Sequence, residues 1–203
     1  MSNVIYCLKW NFEFDLPLSQ IKDIKTLEKG KRYYRAYFED LHQVKRPIRL
    51  DHLIKNRFKD SLIECFSYFY EEGVLQRRDC LNRKTNSKWY NDYLYNDLQE
   101  LERIDVYSSN HGSKDFSLIS YSLFFYDSHK RKTLRKILRP DGELSGYEVF
   151  HYEDDRLTKM EMFDRDNNKL FSEIYHHLND GSLKQIDYFD SEGHYERSLA
   201  TGL

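Results

Sequence analysis

Alanine is nearly absent from this chain, since only Ala36 and Ala200 occur in 203 residues. Helical proteins rely on alanine, whereas strands favour aromatic and β-branched side chains that cover a pleated surface. Valine is also scarce, while 17 Tyr and 13 Phe are present, so much of the buried surface must come from aromatic rings. The composition therefore predicts a mainly β protein.

The chain also has few cysteines and lacks long apolar runs. Cys7, Cys65 and Cys80 are odd in number and lie far apart, which suits neither a disulfide framework nor a zinc site and is typical of a reducing compartment. No window approaches the roughly 18 apolar residues that a membrane span needs, and the first residues do not resemble a signal peptide. We therefore expect a cytoplasmic protein that does not contact a membrane.

The chain also lacks the glycine-based motifs of common enzymes. It has eight glycines and no nucleophile elbow, phosphate loop or dinucleotide fingerprint. The formal charge of -2, from 32 basic and 34 acidic residues, argues against nucleic-acid binding driven by the charge of the whole molecule. We predict no catalytic residue, no cofactor and no metal. An enzyme with a pocket in a concave sheet, using His151 and Glu153, is a third hypothesis.

The first 48 residues are predicted to form a cap made of a strand, a helix and a second strand. Alternation over residues 4 to 14 predicts the first strand. Its expected buried side chains are Val4, Tyr6, Leu8, Trp10, Phe12 and Phe14. Between Pro17 and Gly30 the apolar residues recur at helical spacing, which predicts one short helix ending near the glycine. The residues at that spacing are Leu18, Ile21, Ile24 and Leu27.

Residues 49 to 195 follow the pattern of β-hairpins, each an aromatic strand, an acidic turn and a second strand. Residues 49 to 64 fit either helical spacing or two strands, and we favour strands because the hairpin pattern resumes immediately after them. The side chains that precede the acidic turns, called the marker residues below, are separated by 25, 31, 26 and 25 positions. They are Tyr70, Tyr95, Tyr126, Tyr152 and His177. Such a period is typical of stacked repeats.

The fold class that follows is mainly β, with one short N-terminal helix. We expect a long antiparallel meander of aromatic hairpins, about a dozen strands long, that forms a curved or partly wrapped sheet. Residues 1 to 203 are predicted to be a single domain, in which residues 196 to 203 are a tail.

Three short segments within residues 150 to 170 carry a family resemblance. They are His151-Tyr152-Glu153, Arg156-Leu157-Thr158 and Asp164-Arg165-Asp166-Asn167. In this order they resemble the tyrosine-aspartate repeats of the RHS type, whose pattern is aromatic-x-Tyr-Asp, a turn, Arg-Leu-Thr and a later Asp-x-x-Gly. Variant MORN repeats are similar to about the same degree, and either resemblance covers mainly residues 66 to 193. Both resemblances imply a β-hairpin array for encapsulation, scaffolding or binding, without a catalytic residue to transfer.

The triplet Asp164-x-Asp166-x-Asn168 has the spacing of the first half of a calcium loop. The sixth position of such a loop should be glycine and the twelfth glutamate, but Lys169 and Tyr175 occupy these positions. We therefore interpret the triplet as a turn, because Asp and Asn favour turns through local side-chain hydrogen bonds.

Two basic runs are candidate binding surfaces. Residues 128 to 139 hold six Lys or Arg and no acid, and residues 45 to 49 are a smaller example. Side by side they would form a patch for phosphates or for an acidic protein, whereas a solvated face is the alternative interpretation. The candidate partner-binding residues are Lys130, Arg131, Lys132, Arg135, Lys136, Arg139, Tyr126 and His151.

We predict a non-enzymatic protein that binds another macromolecule through an aromatic and charged face, because Tyr and Arg are enriched at binding hot spots. Its expected biological form is an immunity or antitoxin-type protein that masks a protein partner. The alternative is binding of nucleic acid or a phosphorylated ligand through the basic hairpin.

Overall fold

The computed structural model describes residues 3–12, 16–41, 44–109 and 115–200, and they form antiparallel β structure. The described chain contains fifteen strands. They are β1 (Asn3–Asn11), β2 (Leu16–Gln20), β3 (Arg32–Leu41), β4 (Val44–Ile54), β5 (Ser61–Glu71), β6 (Val74–Asn82), β7 (Ser87–Tyr95), β8 (Leu101–Ser109), β9 (Phe116–Tyr126), β10 (Lys132–Leu138), β11 (Leu144–Glu153), β12 (Arg156–Asp164), β13 (Lys169–His177), β14 (Leu183–Phe189) and β15 (Tyr195–Ala200). The predicted mainly β, antiparallel architecture is confirmed, and β4 and β5 confirm the strand interpretation of residues 49 to 64.

The strands from β3 to β15 are hydrogen-bonded in chain order, as in the predicted meander. The N-terminal strands depart from this order, because β1 lies between β2 and β3. β1 pairs with β3 through Cys7 and Tyr34, and with β2 through Lys9 and Leu18. The edge at this end of the ladder is therefore β2.

The predicted N-terminal helix is wrong. Leu16–Gln20 forms β2. It is followed by a 3-10 helix of three residues, Ile24–Thr26, in which the Asp23 side chain accepts from the N–H of Lys25 at 2.9 Å. An isolated helix of about ten residues is marginal in water, whereas pairing with β1 satisfies the backbone of residues 16 to 20. In the part of the chain that the structure describes, no helix is long and apolar enough to cross a membrane.

The chain divides into two compact units. The first unit comprises the described residues of 1–92 and 107–117, and the second comprises residues 93–106 and 118–200. The expectation of a single domain stays a prediction.

The core of the first unit is built from residues on β1 and β3 to β6. Its buried members are Cys7, Trp10, Ala36, Phe38, Leu50, Phe66, Tyr68 and Cys80. The predicted buried face of β1 is wrong in part, because Val4 and Leu8 are 40% and 43% exposed while Cys7 is buried. Cys7 and Trp10 are three positions apart, so strict alternation cannot place both in one core. Phe14, also predicted to be buried, lies outside the described residues.

The core of the second unit is smaller and is centred on Phe150, Met160, Tyr175 and Ile186. These four residues come from the consecutive strands β11 to β14. Phe150 and Met160 are directly opposite each other in the ladder, as are Tyr175 and Ile186. Each strand therefore contributes one side chain to the centre of this core.

Four of the five marker residues tie their hairpin to the strand before it. Their polar tips bond to a backbone carbonyl on that strand. The pairs are Tyr70 with Pro47 at 3.0 Å, Tyr126 with Leu101 at 2.8 Å, Tyr152 with Lys132 at 3.0 Å, and His177 with Leu157 at 2.8 Å. The sequence period therefore corresponds to a repeated cross-strand hydrogen bond.

Four of the described turns share one construction, which Asp164 illustrates; they begin at Asn96, Asp127, Asp164 and Asp190. The backbone N–H of Asp164 donates to the carbonyl of Asn168, and its Oδ1 accepts from the N–H groups of Asp166 and Asn168 at 2.8 and 2.9 Å. Asn167 adopts a left-handed φ of 66°, which asparagine tolerates better than most residues. The predicted turn is thus confirmed, because the Asp164 side chain is used by the loop itself.

Candidate functional site

The arginines of the predicted basic hairpin lie on β10 and in its flanking turns, where each contacts a carboxylate. Arg131 Nε is 2.8 Å from Asp127 Oδ2, and its Nη1 also donates to the carbonyl of Asp154. Arg135 contacts Glu148 at 3.3 Å and donates to the buried Ser122 hydroxyl at 3.1 Å. The third, Arg139, is 3.3 Å from Glu143.

The lysines of the same hairpin have three different environments. Lys130 is 3.8 Å from Glu100, and the ammonium of Lys136 lies 5.3 Å from the centre of the exposed Phe125 ring. Lys132 places its ammonium 4.2 Å from the centre of the Phe150 ring. Burial lowers the pKa of Lys132 to about 8, although Glu148 opposes this effect. Lys132 therefore belongs to the buried side of the second unit, whereas Lys136 faces outward.

Tyr126 and His151 complete the predicted set, and both have partners within the second unit. Tyr126 is a marker residue bonded to Leu101. His151 Nε2 is 3.0 Å from Glu161 Oε2 on the neighbouring strand, and Lys159 contacts the other oxygen of Glu161 at 2.8 Å. The carboxylate that His151 contacts is thus Glu161, and the pair of His151 with Glu153 postulated for an enzyme is replaced by this arrangement.

The two basic runs lie in different units, with residues 45 to 49 in the first and the hairpin in the second. The side chain of Lys45 lies outside the described residues. Arg46 has its guanidinium carbon 5.6 Å from the centre of the Tyr70 ring, and Arg49 donates to Asp51 at 2.8 Å. The described arginines of the shorter run are therefore engaged with their own unit.

A second recurrent pattern escaped the sequence analysis. Second strands of the hairpins carry a donor and a carboxylate two positions apart, and the two side chains bond to each other. The pairs are Arg49 with Asp51, Arg77 with Asp79, Arg103 with Asp105, Lys159 with Glu161, and Gln185 with Asp187. The donors Arg49, Arg77 and Arg103 are separated by 28 and 26 positions. This period could have been found by aligning the second strands instead of the turns.

In the first unit one of these pairs extends into a cluster of rings, which we call the arginine–aromatic band. The band consists of Arg77, Asp79, Tyr90, Asp92, Tyr107 and Phe116. The guanidinium carbon of Arg77 is 3.6 Å from the centre of the Tyr90 ring, within cation–π range. Tyr90 stacks on Tyr107 at 4.7 Å between ring centres and contacts Phe116 at 4.9 Å.

The register of β6 and β7 places the band on the face opposite the core. Cys80 pairs with Trp89, and both pack in the core of the first unit. Since successive side chains alternate between faces, the adjacent pair of Asp79 and Tyr90 points away from that core. The Arg77 side chain is 41% exposed. The band is therefore an accessible surface of aromatic and charged groups.

No family model and no curated protein matches the chain. Among solved structures, a porin-like protein from Bacteroides uniformis is similar at 9% identity and a TM-score of 0.42, over 86% of this chain and 91% of that one. A structure of TcdB2-TccC3 is similar at 7% identity and a TM-score of 0.22, over 93% of this chain and 16% of that one. A Bacteroides fragilis protein of unknown function is similar at 10% identity and a TM-score of 0.18, over 81% and 91%.

Structural similarities with TM-scores this low say nothing about function. The resemblance to RHS-type repeats therefore stays a prediction. No family model supports it.

Proposed function

We propose that this chain is a non-enzymatic, cytoplasmic protein that binds a protein partner through the arginine–aromatic band, in the manner of an immunity or antitoxin-type protein. The observation that carries the proposal is the stacking of Arg77, Tyr90, Tyr107 and Phe116 on the face opposite the core. Arginine and tyrosine are the residues most enriched at protein-binding hot spots.

The band is also held in place before any partner arrives. Asp79 accepts from Arg77 Nε at 2.7 Å, and Asp92 on the next strand is 3.9 Å from the same nitrogen. Side chains that are already fixed lose less conformational entropy on binding than mobile ones. Arg77 contacts these two carboxylates through Nε, and the adjoining rings supply apolar area.

The basic hairpin is a weaker candidate for binding a polyanion. Affinity for nucleic acid depends on cations that replace condensed counterions at phosphates. Here Arg131, Arg135 and Arg139 already contact Asp127, Glu148 and Glu143. The paired carboxylates reduce the positive charge that the hairpin can present, which favours a protein partner over nucleic acid.

The experiment is affinity capture from the native host with three immobilised proteins. One is the wild type, the second carries Arg77→Gln and Phe116→Ser, and the third is a matched control with Arg103→Gln and Phe125→Ser. The control also loses one arginine of an Arg-x-Asp pair and one exposed phenylalanine, but in the second unit. Melting curves establish that all three proteins are folded.

The proposal predicts a protein that the wild type and the control retain and that the band variant loses. The captured protein is then purified, and its affinity for each variant is measured in isolation. Equal retention by all three proteins, or no reproducible protein partner, would contradict the proposal. A partner that is lost between 50 and 200 mM salt and also upon Arg131→Glu, Arg135→Glu and Arg139→Glu would favour nucleic acid at the hairpin instead.

A further inference from the structure

In the first unit, residues of β3, β4 and β5 and of the turns that follow β4 and β6 line a cavity of about 610 Å³. This volume is within the range of small-molecule sites, roughly 300–1,000 Å³. Four cationic side chains line the cavity, together with two carboxylates and the apolar side chains of two leucines. The charged residues are Arg35, Arg49, Lys59, Arg83, Asp51 and Asp60. The cavity is separate from the arginine–aromatic band, so an inference about it does not depend on the proposed protein partner.

Asp51 fixes two of the cations. Its carboxylate is fully buried and accepts from Arg35 Nη2 at Oδ2 and from Arg49 Nε at Oδ1, both at 2.8 Å. The guanidinium carbons lie 5.3 and 5.6 Å from the centre of the Tyr37 ring. Each arginine thus gives one donor to Asp51 and is held in a defined position, with further N–H groups left over.

One of those remaining donors is Arg35 Nε. This atom is buried and has no hydrogen-bond partner among the residues that the structure describes. The Arg35 side chain as a whole is 32% exposed and lines the cavity, so a ligand there would contact Arg35 through its Nη groups.

The two carboxylates are already satisfied by the protein. Asp60 accepts from the Tyr33 hydroxyl at 2.5 Å and from the backbone N–H of Asn56 at 3.0 Å, and Lys55 lies 3.6 Å away. Lys59 and Arg83, in contrast, contact no carboxylate within the described chain at ion-pair distance. The lining therefore has four positive and two negative charges, an excess of two positive charges.

We propose that this cavity binds a small molecule carrying a phosphate group, whose two negative charges match the excess of the lining. Arg35 and Arg49 contact the phosphate oxygens through the donors that Asp51 leaves over, because guanidinium groups match phosphate geometry. Lys59 and Arg83 supply the remaining positive charge. Leu53 and Leu62 provide apolar contacts for the rest of the molecule.

The test uses the full chain and titrates inorganic phosphate, with isothermal calorimetry and ³¹P NMR line broadening as readouts. Saturable binding with one site per chain is expected. Arg49→Gln and Arg83→Gln should each weaken phosphate affinity about tenfold, the effect of losing one charged hydrogen bond. Arg77→Gln is the matched control, because this arginine pairs with Asp79 in the same way and lies outside the cavity lining. It should leave phosphate affinity unchanged.

Arg35 is tested by the double substitution Arg35→Gln with Asp51→Asn, which avoids leaving the buried carboxylate with one partner fewer. The double variant should bind phosphate at least about tenfold more weakly than wild type. The absence of saturable phosphate binding at 20 mM, or equal affinity in Arg49→Gln, Arg83→Gln and Arg77→Gln, would overturn the proposal. So would tight binding of acetate or citrate without binding of phosphate, since that result assigns the cavity to carboxylates.

Discussion

The hydroxyl of Tyr152 donates to the backbone carbonyl of Lys132 on the neighbouring strand at 3.0 Å. The same bond recurs at Tyr70 and Tyr126, and the His177 ring replaces the hydroxyl in a later repeat. The carbonyl belongs to the beginning of the second strand of the preceding hairpin. The marker residue therefore joins consecutive hairpins through this hydrogen bond.

Tyr152→Phe keeps the ring and removes this bond. We expect the free energy of unfolding to fall by about 1 kcal/mol, because a partly buried carbonyl loses its donor. Chemical denaturation measures the change. Tyr147→Phe is the matched control, since the Tyr147 hydroxyl bonds to Asn167 in an exposed position. Equal losses of unfolding free energy in the two variants would show that the Tyr152 hydrogen bond stabilises the protein no more than an exposed hydrogen bond does.

Asp51 and Asp79 occupy equivalent positions in the Arg-x-Asp pattern but differ in burial. The Asp51 side chain is 0% exposed and that of Asp79 is 45% exposed. Asp51→Asn should lower the free energy of unfolding by about 3 kcal/mol, because two arginines lose a buried partner. Asp79→Asn should cost less than about 1 kcal/mol, as exposed ion pairs do. Similar losses of unfolding free energy in Asp51→Asn and Asp79→Asn would contradict the buried ion pairing of Asp51.

The ion pairs of Asp51 with Arg35 and Arg49 also predict that the stability of the protein depends on pH. Burial raises the pKa of Asp51, but hydrogen bonds from Arg35 and Arg49 outweigh it, so the pKa lies below its ordinary value. Stability from this carboxylate is therefore present above the unfolded-state pKa of about 3.9 and is lost as the pH falls through the folded-state value. The stability difference between wild type and Asp51→Asn should be constant from pH 5 to 7 and shrink below about pH 4. Urea denaturation at each pH tests this.

Lys132 predicts a slope of the same sign at alkaline pH. Burial lowers its pKa to about 8, whereas an unfolded lysine titrates near 10.4. Between these values the native protein binds fewer protons than the unfolded chain, so the stability of wild type relative to Lys132→Met should rise with pH. Urea denaturation from pH 7 to pH 10 measures the difference. A difference that stays constant over this range would mean that Lys132 is solvated.

The Asp164 turn should be independent of calcium. Asp164→Ala removes the acceptor of two backbone N–H groups and should lower the melting temperature. Asp166→Ala should change it little, since the only ion pair of the Asp166 side chain with the described residues is with Arg165, at 3.7 Å. Millimolar Ca²⁺ should not raise the melting temperature of the wild type. A calcium-dependent rise that disappears in Asp164→Ala would show a metal loop instead.

Local signals in the sequence predicted most of the strands. Alternation, the acidic turns and the marker spacing are short-range features, so β5 and β6 and the later hairpins follow from them. The segment containing Ile21 and Ile24 has helical spacing, but pairing of residues 16 to 20 with β1 decided its structure. Such pairing depends on residues distant in sequence, which a local period does not encode.

The candidate sites were less predictable for the same reason. The run from Lys130 to Arg139 contains no acid, but Glu148 contacts it from β11 and Glu100 from the turn before β8. Conversely, Arg35 and Asp51 are 16 positions apart and meet only because β3 pairs with β4. The charge of a segment therefore did not predict the charge of the surface that it forms.

The most direct test of the proposed function is the affinity of the captured and purified partner for the wild type and for the two double variants. We expect Arg77→Gln with Phe116→Ser to raise the dissociation constant at least about a hundredfold, since hot-spot residues each contribute 2 kcal/mol or more. Arg103→Gln with Phe125→Ser should change the dissociation constant less than about threefold. Equal weakening by both variants, or none by the first, would contradict binding through the arginine–aromatic band.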